Sequence, residues 1–477
     1  MKRWPLLLIV SGCLTGCGET SAPNSTANAP AQAPGQNANS PAAAVPAPNY
    51  DQLLKDADVQ LQSRNGNQAV QLLSQAITAN PKRIDAYLKR ASVLAEAKLT
   101  AAAVNDMTSA IALDPRNAKL LNTRGYFLLV SQQYDRASAD FSDAIGLDLQ
   151  YPQPYNNRGL CQVALGNFEE GIKDFDNALR AKADYVDAHN NRGFALMQFN
   201  RTEEALASFT KTLELDPKYI NALSNRGRCY LKLNRPAEAA ADYTSAIALQ
   251  PDTIVHYASR AEAHKANNDQ AACNADLHFA AWLRGLDELN QRIARNTRDA
   301  DAWSERGRHL LLQDRQAEAE RSLQNALTLK PDHAQALSGR AQLAMRQEKY
   351  EQAIADSTRA LALDRRFETY SLRGDAYFAT GKFGDAIADY EASRRFDRQV
   401  VEAYRQRALQ LRNNGDEQLA QADEKFAAGL EKQLTEAVVE QDRTAPRAMV
   451  IEQVSYEVPA AEKSAQPQKS AASTQAK

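Results

Sequence analysis

VDAHNNRGFALMQFNRTEEALASFTKTLELDPKY, residues 186–219, is one copy of a 34-residue unit that recurs from residue 50 to about residue 433. With Val186 as position 1, small residues stand at positions 8, 20 and 27, here Gly193, Ala205 and Thr212. Stepping by 34 finds them again: position 8 reads Ala57, Ala91, Gly125, Gly159, Gly193, Gly227 and Ala261. Larger apolar side chains, Leu196, Phe209 and Leu213, fall at three- and four-residue spacings. That spacing predicts two amphipathic helices per unit, each of about 14 residues. A short polar turn at Asn200, Arg201 and Thr202 separates them, and Pro217 stops the second. Small residues let the two backbones approach, and the large ones fill the space between. A helix pair cannot bury its apolar face alone, so neighbouring units must stack.

The period of 34, small residues at 8, 20 and 27, an aromatic or Leu at 24 and Pro at 32 resemble the tetratricopeptide repeat (TPR). The resemblance covers about four fifths of the chain. It implies an all-α fold, a right-handed α-solenoid of about eleven helix pairs. One departure is systematic. Position 7, usually apolar in the family, is Arg in ten units, from Arg90 to Arg407, and in eight of these Asp follows sixteen residues later. In an antiparallel pair these positions lie at the same height above the turn, which predicts an Arg–Asp bridge inside the unit. The alternative, a ladder of ligand-binding arginines, is disfavoured by the correlated Asp. Where Ser208 and Ser322 replace that Asp, Arg192 and Arg306 are expected to be freer.

Residues 1–16 read as a targeting segment: Lys2 and Arg3, the apolar run 6–10, then Leu14-Thr15-Gly16-Cys17. This is the pattern of a bacterial lipoprotein signal, which makes Cys17 the lipidated residue and the new N-terminus. Val10-Ser11-Gly12-Cys13 fits as well, but leaves a very short apolar core. In a host with two membranes, Gly18 resembles sorting to the outer membrane, facing the periplasm. Residues 17–49, rich in Ala, Pro, Asn and Gln, read as a disordered tether. As a flexible coil it would span about 30 Å, and extended up to about 100 Å. Seven units are expected over 50–287, a connecting helix over 288–299, and four units over 300–433. Residues 434–477 read as a capping stretch and a disordered tail, in which 449–458 is apolar and β-prone. That segment is either an incidental apolar island or a peptide that docks in a groove or on a sheet edge.

Lys and Arg number 57 against 59 acidic residues, a balance without the basic footprint of nucleic-acid binding. The six histidines are scattered over different repeat positions, and no HExxH, CxxC, GxSxG or phosphate-loop spacing occurs. Neither an enzyme, a metal site, a cofactor nor a small-molecule substrate is therefore expected. Cys161, Cys229 and Cys273 read as small buried residues without a disulfide.

In the family that this chain resembles, first helices line the concave groove, with positions 2, 5, 6, 9, 12 and 13 facing inward. Here positions 5 and 6 carry Asn122, Asn156, Asn157, Asn190, Asn191 and Asn225. Position 9 supplies Tyr126, Leu160 and Phe194, and position 12 supplies Leu129, Val163, Met197 and Leu231. A row of asparagines can hydrogen-bond an extended peptide backbone whatever its sequence. This resembles the asparagine ladder of TPR proteins that hold extended polypeptides. The expected function is a membrane-anchored scaffold in the bacterial cell envelope, binding other envelope proteins in machine assembly or in recruitment of cell-wall enzymes. A glycan-binding lipoprotein and a self-assembling structural protein are the alternatives.

Overall fold

In the computed structural model, residues 49–441 are described; the segments 1–48 and 442–477, with Cys13, Cys17, the tether and the 449–458 stretch, lie outside them. Among the described residues there are twenty-two helices and no strands, so the chain is an all-α solenoid of eleven helix pairs. It divides into two compact units, Met1–Leu277 and His278–Lys477.

The first unit opens with the pairs α1 (Tyr50–Gln62) and α2 (Gly66–Ala79), α3 (Ile84–Glu96) and α4 (Thr100–Leu113), and α5 (Ala118–Val130) and α6 (Tyr134–Leu147). It continues with α7 (Pro152–Leu165) and α8 (Phe168–Ala181), α9 (Val186–Gln198) and α10 (Thr202–Leu215), then α11 (Ile220–Lys232) and α12 (Pro236–Leu249). Next come α13 (Ile254–Ala266) and α14 (Gln270–Arg295), whose later part belongs to the second unit. That unit adds α15 (Ala300–Leu311) and α16 (Gln316–Leu329), and α17 (Ala334–Arg346) and α18 (Tyr350–Leu363). The last pairs are α19 (Phe367–Ala379) and α20 (Phe383–Ala392), then α21 (Arg398–Asn413) and α22 (Glu417–Gln441).

Three devices make the pairs. The first is the turn: position 15 is left-handed in every unit, as Gly at 166, 381 and 415 and as a residue with a side chain, at φ 54–61°, in the other eight. The second is size matching. At Gly125, Gly159, Gly193, Gly227 and Gly374 an added Cβ would lie 2.7–2.9 Å from the ring at position 24 (Phe141, Phe175, Phe209, Tyr243 or Tyr390). Units with Ala57 or Ala91 at position 8 carry the slimmer Leu73 or Met107 opposite.

The third device is the expected ion pair. All eight Arg–Asp pairs form at 2.6–2.7 Å, with the Asp side chains at most 8% exposed. The grip is bidentate: Arg124 Nε and Nη2 donate to the two Asp140 oxygens at 2.8 and 2.6 Å. A second contact was not anticipated from the sequence. Nη1 of Arg90, Arg124 and Arg158 donates to Ser74, Thr108 and Ser142, each on the second helix of the preceding pair. The arginine thus ties its own pair to the one before it. Arg192 and Arg306, expected to be freer, are held as well. Arg192 donates to Ser208 at 2.7 Å and, across the seam, to Asp176 at 2.7 Å. Its missing Asp is replaced by an acid on the other side. Arg306 donates to Asn290 and Ser322 at 2.7 and 2.5 Å, with Glu318 at 3.7 Å.

The connecting helix expected over 288–299 is not a separate element, because α14 runs unbroken from Gln270 to Arg295. The boundary between the two compact units falls within that helix, between Leu277 and His278. Within the second unit Trp282 stacks on His309 at 5.4 Å between ring centroids. The two are locked reciprocally: Trp282 Nε1 donates to the His309 carbonyl at 2.9 Å, and His309 Nε2 lies 2.8 Å from the Trp282 carbonyl. Gly285 makes room, since a Cβ there would meet His309 Cε1 at 3.0 Å. At the far end the capping stretch continues α22, and Leu434 packs on the Tyr404, Phe426 and Leu430 cluster.

Candidate functional site

The first helices of the first unit stack directly, α5 on α7, α7 on α9, and α9 on α11. This stacking brings the asparagines of positions 5 and 6 together. Asn190 Nδ2 donates to Asn191 Oδ1 at 3.4 Å, and Asn191 Nδ2 to Asn156 Oδ1 at 3.0 Å. Asn156 then donates to Asn157 at 3.3 Å, Asn157 to Asn122 at 3.1 Å, and Asn122 to the Tyr151 hydroxyl at 3.3 Å. The links between pairs join residues 35 apart, position 6 of one unit to position 5 of the unit before it. Five asparagines therefore form one chain of amide hydrogen bonds across three units.

Their exposure differs accordingly. Asn156, Asn157 and Asn190 are buried, at 4%, 9% and 8% exposure, while Asn122, Asn191 and Asn225 are half-buried. Leu160 is buried, and Tyr126 and Phe194 are half-buried against the core. Position 12 does not face the groove as expected: Leu129, Val163 and Met197 are core residues. A Cβ on Gly171 would meet Val163 Cγ2 at 2.8 Å, which places position 12 against the second helix of its own pair.

The chain of amides stops one step early. By the same rule Asn225 would donate to Asn190. Instead Asn190 Oδ1 has no partner, and Asn225 makes no side-chain hydrogen bond among the described residues. A buried amide oxygen without a donor costs about 1–3 kcal/mol. In the adjoining pair His256 replaces the Ala found at position 3 in its neighbours; its Nδ1 lies 3.4 Å from Ser224 Oγ and its Nε2 is unpartnered. Burial lowers its pKa from the ordinary imidazole value.

In the second unit the same helix face is built of different residues. Positions 5 and 6 are Ser304 and Glu305, Ser338 and Gly339, and Ser371 and Leu372. Ser338 and Gly339, shorter than the asparagines of the first unit, leave a cavity of about 640 Å³ along α15, α17 and α19. The sequence reading covered only the asparagine-bearing units and so missed it.

Cys161, Cys229 and Cys273 are free, buried thiols, and burial pushes the first two up to about 12 and about 11. Among the described residues no three His, Cys, Asp or Glu side chains converge on a possible ion, and no helix is long and apolar enough to cross a membrane.

Comparison with known proteins agrees with this architecture. Tetratricopeptide repeat profiles match residues 54–118, 122–186, 156–220 and 305–367, and a second such profile matches 220–253. These spans cover more than half of the 477 residues, and the chain belongs to the tetratricopeptide repeat family. Similar solved structures include a TPR protein from Parabacteroides merdae, at 18% identity over 49% of this chain and 92% of that one, TM-score 0.41. Another is PilF from Pseudomonas aeruginosa, at 21% identity over 45% of this chain and 97% of that one, TM-score 0.39. YrrB, described as a TPR protein with an unusual peptide-binding site, is 22% identical over 39% of this chain and 95% of that one, TM-score 0.32. At these identities the likeness concerns the fold alone. No curated protein matches the chain.

Proposed function

We propose that the chain is a lipid-anchored TPR scaffold of the bacterial cell envelope that holds an extended segment of a partner protein along its first-helix face. The carrying observation is the interrupted chain of asparagines. Asn190 Oδ1 lacks a donor, and the Asn225 amide beside it in the repeat has both a donor and an acceptor uncommitted. A partner's backbone N–H and C=O satisfy the half-buried Asn225 amide without regard to the partner's side chains, while the Asn190 oxygen behind it stays buried. Since the other amides are committed to one another, the site is pre-organised and loses little rotamer freedom on binding. The glycan alternative is less well supported, because Tyr126 and Phe194 are packed against the core rather than standing clear as platforms. The anchor and the envelope location rest on Leu14-Thr15-Gly16-Cys17, outside the described residues. Assembly of an envelope machine and recruitment of cell-wall enzymes are both uses of such a scaffold.

The test is a photo-crosslinking residue in place of Asn225, in the full-length chain expressed in its own host, with adducts identified by mass spectrometry. A dominant envelope-protein adduct is expected. Adducts to glycan alone, or none, would overturn this reading.

A further inference from the structure

The cavity of the second unit carries its own chemistry. Of its charged lining residues, Arg366 is taken by Asp364 at 2.5 Å and Glu305 by Arg292 at 2.7 Å. Arg308 is exposed and has no ion-pair or hydrogen-bond partner among the described residues; Glu368, also exposed, makes no hydrogen bond there and lies within electrostatic reach of Arg366. They stand on α15 and α19, with α17 between them, so the cavity has a cationic and an anionic side. Gln335 and Gln342 of α17 also line it, and neither makes a side-chain hydrogen bond among the described residues. The position of Arg308 is built in: a Cβ on Gly339 would lie 3.0 Å from Arg308 Cγ, so the bare glycine lets the arginine stem lie across α17. Leu312 ends the arginine-bearing side and is 69% exposed.

We infer that this cavity is a second peptide-recognition site, for an extended segment that presents a carboxylate next to an apolar side chain. The inference rests on the protein-binding reading above but concerns a different face residue set. Arg308 receives the carboxylate, Leu312 covers the apolar side chain, and the two glutamine amides pair with the backbone. Glu368 fixes direction by repelling a second acid from the α19 side and accepting an N–H there. The volume suits a short segment, within the range of about 300–1,000 Å³ common to ligand clefts. Burying the unpaired Arg308 under an apolar ligand would be costly, which selects for the charged one.

The probe is a fluorescent pool of hexapeptides, acetylated and amidated so that the termini are neutral, with Leu-Asp or Leu-Glu at the centre. A matched pool carries Leu-Asn or Leu-Gln. Anisotropy with the full chain should show the acidic pool binding about tenfold tighter, the scale of one charge-assisted hydrogen bond. Arg308→Ala should bring the acidic pool to the level of the amide pool, and Leu312→Ser should weaken both; both residues are exposed, and circular dichroism checks that the variants fold. Equal binding of the two pools, no binding by either, or an Arg308→Ala variant that binds like wild type would overturn the inference. Acidic-pool binding that survives Arg308→Ala and is lost in Asn225→Ala would overturn it while leaving the scaffold reading intact.

Discussion

Gly193 shows how tightly single residues are specified. Its missing Cβ is the space that the Phe209 ring occupies, 2.8 Å from where that atom would sit. Gly193→Ala is expected to lower the local stability of α9 and α10 by about 1–3 kcal/mol, the usual penalty of overpacking. Phe209→Leu removes the ring, and the double variant should recover much of the loss, because Ala with Leu is the combination at Ala57 and Leu73. Amide exchange in the two helices measures this where a global midpoint would not, since repeat arrays open locally. Additive losses in the double variant would contradict the size-matching account. His256 gives a pH dependence. Burial depresses its pKa, so the unfolded chain takes up a proton that the folded one resists. Its folded form is unpenalised above the ordinary value of about 6.5 and loses stability as the pH falls below it, through the depressed folded value. The local opening free energies of α13, read by amide exchange in wild type and His256→Ala, should therefore diverge between about pH 7 and about pH 5, with the variant the less acid-sensitive.

At the scale of elements, the turn within each pair is the part most open to improvement. Position 15 is left-handed throughout, yet Arg64, Lys98, Gln132, Asp314 and Glu348 occupy it, where L side chains crowd the backbone. Gln132→Gly is expected to stabilise the α5–α6 pair by about 0.5–1 kcal/mol, and Gly166→Ala to destabilise α7–α8 by a similar amount. Slower amide exchange in α5 and α6 for the first, and faster exchange in α7 and α8 for the second, would be the readout. Most element boundaries were legible because polar turns recur every 34 residues, with Pro at position 32 in five units. The exception is α14, which runs through Gly285 to Arg295, whereas α6 and α8 stop on schedule although Leu149 and Ala183 replace the Pro. The absent Pro alone did not mark the continuation; what the reading lacked was the Trp282–His309 lock that shows where the continued helix docks.

For the whole molecule, the fold was legible because a 34-residue period with small residues at fixed places admits one packing solution. The Arg–Asp bridges were legible for the same reason, being internal to a unit. What the sequence hid depends on contacts between units or on missing atoms. The 35-residue bonds that join the asparagines, and the acid that Asp176 lends to Arg192, arise only on stacking. The second-unit cavity is made by what Ser338 and Gly339 lack. In the proposed reading, where the scaffold works rests on residues 1–16 and the cysteine that follows, which lie outside the described residues. A solenoid whose described helices include no membrane span can be held at a membrane by a covalent lipid at Cys17, with 17–49 as its tether. Cys17→Ser should then move the full-length chain from the membrane pellet to the soluble fraction of its host. Cys13→Ser should leave it in the pellet, because cleavage before Cys13 would leave a very short apolar core. The reverse pattern would reassign the anchor to Cys13. A wild-type chain that is soluble before any substitution would remove the anchor altogether and leave the groove chemistry to act in free solution.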